Sequence, residues 1–96
     1  MPRINLKSGD HGDLPVTFAG NTIQQAVTFQ HAGTLTLSTT SCHVYIFIDG
    51  SDAGQIKVVD GASPKSFAVT TGQTYDVEVA GTTDAQPSGV IHYSFV

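Results

Sequence analysis

A chain of 96 residues supports one domain with one modest hydrophobic core. Eight Asp+Glu against four Lys+Arg leave a formal charge of −4, which excludes non-specific nucleic-acid binding and attraction to an anionic membrane surface. With 40% hydrophobic residues and only 12% charged ones, the composition is that of a folded chain rather than a disordered one.

Apolar residues alternate with period two from one end to the other, the signature of half-buried strands. In chain order the pattern marks Ile4 and Leu6; Leu14, Val16 and Phe18; Ile23, Val27 and Phe29; Leu35 and Leu37; and Val44, Ile46 and Ile48. The second half continues with Ile56 and Val58, Phe67 and Val69, Tyr75, Val77 and Val79, and finally Ile91, Tyr93 and Phe95. Turn clusters separate them at Ser8-Gly9-Asp10, Gly20-Asn21, Ala32-Gly33, Asp49-Gly50-Ser51-Asp52, Asp60-Gly61, Thr71-Gly72 and from Gly81 to Gly89. Gly and Asp supply the backbone freedom and local side-chain bonds that tight turns need. About nine short strands at this spacing predict an all-β fold, a single antiparallel β-sandwich over residues 1–96, immunoglobulin-like or jelly-roll-like. Pro15 is expected near the start of an edge strand, where a missing N–H is tolerated.

Residues 44–48 depart from the alternation. Val44, Ile46 and Ile48 supply one apolar face, and Tyr45 and Phe47 make the opposite face apolar as well. One reading covers that second face with the chain's own 80–89 connection. The other makes Tyr45 and Phe47, together with Tyr93, an interface, since aromatic residues are enriched where proteins meet. On that reading the protein is a homo-oligomer.

Motifs for catalysis are missing. His11, His31, His43 and His92 form no metal-binding spacing, and Cys42 has no second cysteine to pair with. The chain has no G-x-S-x-G elbow and no glycine-rich phosphate loop. The expectation is therefore a protein that is not an enzyme and carries no cofactor. The acidic loops read first as turn-makers. As functional candidates, Asp10, Asp13, Asp49, Ser51 and Asp52 form ligand-binding loops able to accept hydroxyl hydrogen bonds, where calcium would find oxygen ligands.

The residues Val44-Tyr45-Ile46-Phe47-Ile48-Asp49-Gly50, then Gly54, then the run from Phe67 to Val79, resemble small immunoglobulin-like sandwich modules of the PEGA type. The likeness covers about a third of the chain and lacks the P-x-G-A-like signature. It implies an accessory or binding module and carries over no functional residue.

These features favour a non-catalytic recognition module, a small lectin-like carbohydrate-binding protein acting as a homo-oligomer, with a glycan or protein surface as partner. The alternative is a structural assembly or decoration subunit of a larger particle. A third possibility is an inhibitor, because a compact acidic β-domain can block a basic surface by charge complementarity. No apolar run is long enough for a secretory signal or a membrane span, so the sequence predicts a cytoplasmic protein, or one exported without a signal peptide.

Overall fold

The computed structural model describes residues 3–17, 23–48, 51–81 and 88–96, with the side chains of 23 and 51–54 left aside. Among the described residues the alternating segments form nine strands: β1 (Arg3–Ile4), β2 (His11–Thr17), β3 (Ile23–Phe29), β4 (Gly33–Thr40), β5 (Cys42–Ile48), β6 (Ser51–Val58), β7 (Lys65–Val69), β8 (Tyr75–Gly81) and β9 (Ser88–Phe95). They build two packed sheets, with strand orders β1-β3-β8-β5-β6 and β2-β9-β4-β7. This is the expected β-sandwich. The pairing is antiparallel throughout except for β1, which runs parallel to β3.

Period-two patterning turns directly into layers. In β4, Leu35, Leu37 and Thr39 are buried while Thr34, Thr36, Ser38 and Thr40 face out. In β5, Cys42, Val44 and Ile46 point inward, and His43, Tyr45 and Phe47 lie half-buried on the outer face. The core joins Val27, Phe29, Val44, Ile46, Val58, Tyr75 and Val79 of the five-stranded sheet to Leu35, Leu37, Val69, Ile91 and Phe95 of the other.

Among the described strands only β5 and β6 are both consecutive in sequence and paired. The other connections pass from one sheet to the other. The tightest described one is Ser41, the single residue between β4 and β5, whose φ is +62°. Its N–H donates to Asp60 Oδ1 at 2.7 Å, and the Asp60 N–H donates to His43 Nδ1 at 3.1 Å. The β4–β5 corner is thereby tied to the turn after β6. At the other end, Lys7 to Asp10 form a turn closed by an Asp10 N–H to Lys7 C=O bond of 2.9 Å. Gly9 there has φ +96°, and its N–H donates to the Phe95 carbonyl while the Phe95 N–H donates to Asp10, a glycine-type bulge that starts the β2–β9 ladder.

Two details of the sequence reading change. Val96 exchanges both backbone bonds with Thr34, so odd residues of β9 bond toward β2, where Gly12, Leu14 and Val16 answer them. Pro15 thus sits mid-strand rather than near the start, with its missing N–H on the open edge. Ser51 and Asp52, expected in a loop, begin β6, because pairing starts at once with Ile48 opposite Ser51. Most of the 80–89 connection expected to cover the β5 face lies outside the described residues, as do Phe18 and Asp49.

Candidate functional site

The two sheets present very different outer faces. On the four-stranded sheet, β2, β9 and β4 bring Asp13, His92 and Ser38 into one cross-strand row. His92 Nδ1 lies 2.7 Å from Asp13 Oδ1, and its Nε2 lies 2.8 Å from Thr40 Oγ1. A carboxylate only accepts, so Nδ1 carries a proton; in a neutral ring Nε2 then accepts from the Thr40 hydroxyl. Acid, imidazole and hydroxyl stand in the order of a hydrolase triad, from positions 13, 92 and 40 that no local motif links. Sequence spacing missed this constellation because the three groups come from three strands. The shallow hollow beside it is lined by His11, Asp13, Thr36, Ser38, His92 and Ser94 among others, and Thr40 is not part of its wall. The row ties three strands together through the side chains of Asp13, His92 and Thr40.

The five-stranded sheet carries aromatic rings between carboxylates. Registers of β3, β8, β5 and β6 give one row of Gln24, Glu78, Tyr45 and Lys57 and a second of Ala26, Asp76 and Phe47. In the first row the Lys57 ammonium lies 5.7 Å from the centre of the Tyr45 ring, a cation–π contact. In the second, Asp76 stands between the small Ala26 and the Phe47 ring. A hollow of about 370 Å³ opens there, walled by Gln24, Ala26, Phe47, Asp76 and Glu78. Among the described residues no Lys, Arg or His nitrogen lies within 4 Å of either carboxylate, the one such pair being His92–Asp13.

A third concavity, about 270 Å³, lies between the sheets and is lined by apolar side chains such as Leu6, Leu14, Phe29, Leu37 and Ile46. Leu14, 53% exposed, is on its wall.

The residues expected to form ligand-binding loops are dispersed. Asp10 Oδ2 accepts the Lys7 N–H at 2.8 Å, so it serves the turn. Asp13, expected in a loop, is on β2 and bound to His92. Asp49 and the side chains of Ser51 and Asp52 lie outside the described residues. Among the described residues no group of three His, Cys, Asp or Glu could hold a metal ion. Tyr45 and Phe47 share an outer face as the sequence indicates, but Tyr93 does not join them. It belongs to the other sheet and packs inward against the core, over Gly12, where an added Cβ would stand 2.9 Å from the Tyr93 hydroxyl. Tyr93 shares its face with Ile91 and Phe95 because all three hold odd positions of β9.

No protein-family model matches the chain, and no curated protein does either. Solved structures do. The chain is similar over 99% of its length to a periplasmic lysozyme inhibitor of g-type lysozyme, PliG of Aeromonas hydrophila, of which 96% is covered, with 16% identity and a TM-score of 0.58. It is similar over 100% of both chains to PliG of Salmonella Typhimurium, also a periplasmic inhibitor of g-type lysozyme, with 12% identity and a TM-score of 0.55. Likeness at this identity establishes a shared two-sheet fold. Those proteins bind a protein and are inhibitors rather than enzymes. They lend no support to a lectin-like carbohydrate site, a homo-oligomer or an assembly subunit. Both are periplasmic proteins, a finding that stands against the expectation of a cytoplasmic location.

Proposed function

We propose that this chain is a non-catalytic binding protein that inhibits a lysozyme, with g-type lysozyme as its target. The observation that carries the reading is the end-to-end likeness to two inhibitors of that enzyme, with nearly the whole of each chain matched. The charge agrees: a domain of net charge −4 suits a basic partner, since complementary fields speed encounter and disfavour wrong partners. The experiment follows g-type lysozyme clearing a suspension of bacterial cell walls, with and without the purified chain. Near-stoichiometric suppression of the clearing rate is expected, and undiminished lysis at a large molar excess of the chain would refute the reading.

A further inference from the structure

The geometry points to the outer face of the five-stranded sheet as the docking surface for a basic protein, with an arginine or lysine of that partner seated in the hollow against Phe47, Asp76 and Glu78. The inference rests on the inhibitor reading above and names its surface.

The sheet itself contains the precedent. In one row, Glu78, Tyr45 and Lys57 stand side by side, and the Lys57 ammonium lies over the Tyr45 ring. Two residues along, Asp76 and Phe47 repeat the carboxylate and the ring, but the described residues place no cation there. On the β6 side, residues 51–55 are Ser, Asp, Ala, Gly and Gln, so the sequence offers none. The chain has only four Lys and Arg: Arg3 on β1, separated from β8 by β3; Lys7 before β2; Lys65 in the other sheet; and Lys57, already on Tyr45. Among the described residues no lysine or arginine of this chain takes the place beside Phe47, which leaves that place to a cation of another molecule. Ala26, opposite Asp76, keeps the hollow open. The flat guanidinium of arginine suits it best, because it stacks on an aromatic face and hydrogen-bonds carboxylates at its edge. A second copy of this chain is a poor occupant, since two such faces would oppose like charges.

Two measurements test the surface. The first is an NMR titration of the ¹⁵N-labelled chain with the peptide acetyl-Arg-Gly-Arg-Gly-Arg-amide. Amide shifts are expected to concentrate at 24–26, 45–47 and 76–78. Asp76→Asn/Glu78→Gln is expected to weaken binding about tenfold or more, as is Phe47→Leu, which keeps an apolar side chain but removes the ring. Asp13→Asn on the opposite sheet should leave it unchanged. Shifts centred on Asp13 and His92, or shifts indifferent to Asp76→Asn/Glu78→Gln, would overturn the assignment. So would a dimer in light scattering that Phe47→Leu disperses. The second measurement repeats the lysis assay with the same variants. If the native chain inhibits and Asp76→Asn/Glu78→Gln inhibits equally, the surface is wrong and the inhibitor reading stands. If the native chain does not inhibit while the peptide still binds at this face, the inhibitor reading fails and the surface stands.

Discussion

Thr39 Oγ1 is buried and, among the described residues, has no hydrogen-bond partner to offset its desolvation. Thr39→Val replaces the hydroxyl with a methyl of nearly the same shape and is expected to stabilise the fold by about 1 kcal/mol, read as a higher urea midpoint at unchanged slope. A few residues away, Cys42 is fully buried, its Sγ 3.6 Å from the Val90 carbonyl. Burial above all, and then the nearby Asp60 charge, push its thiol above the ordinary value of 9.0. Because the folded pKa lies above the unfolded one, the protonated thiol favours the fold below pH 9.0, and that contribution is lost as pH rises toward the folded value. Melting temperature is thus expected to fall above pH 9.0 more in the native chain than in Cys42→Ala. Gly89 is fixed by the same packing: an added Cβ would lie 2.8 Å from Cys42 Cβ and 2.9 Å from the Thr40 carbonyl oxygen. Gly89→Ala should cost roughly 1–3 kcal/mol, the range for overpacking a tight core, and thermal unfolding would register it. Cys42 packs as a small buried hydrophobe; the need for glycine at 89 comes from a neighbour 47 positions away and leaves no local trace.

Strands were legible because their cause is local. The alternation of Leu35 and Leu37 with Thr34, Thr36 and Ser38 can bury its apolar side only as a strand, and β4 does so. Starts and corners were less legible. Ser41 occupies the left-handed region that a non-glycine residue seldom adopts, and what holds it there is the carboxylate of Asp60, 19 residues on. Asp60→Ala removes that acceptor and is expected to cost about 1 kcal/mol in urea unfolding, as loss of a capping side chain does; Asp60→Asn keeps an oxygen and should retain most of the stability. Asp13 shows the opposite error. Beside Gly12 it reads as a turn residue, yet it stands on a strand, because β2 pairs with β9 along its whole length and sets His92 opposite its carboxylate.

For the whole molecule, the −4 charge and an aromatic face carrying Asp76 and Glu78 favour a partner found by long-range attraction. Affinity for a basic enzyme is therefore expected to fall as NaCl rises from 50 to 500 mM, roughly the span in which the screening length shrinks severalfold. The loss should lie mainly in the association rate measured by surface plasmon resonance, and a salt-independent rate would argue that apolar packing dominates.

By itself the sequence determined an all-β chain with one core, a net acid charge and an apolar second face on β5, since hydrophobic period and charge are properties of neighbours along the chain. Only the tertiary structure decided which strands pair, that Tyr93 packs inward and apart from Tyr45 and Phe47, and that Asp13, His92 and Thr40 meet. Nearly every connection crosses between sheets, so partners are set by the packing of two layers, and short-range patterning carries no record of that choice.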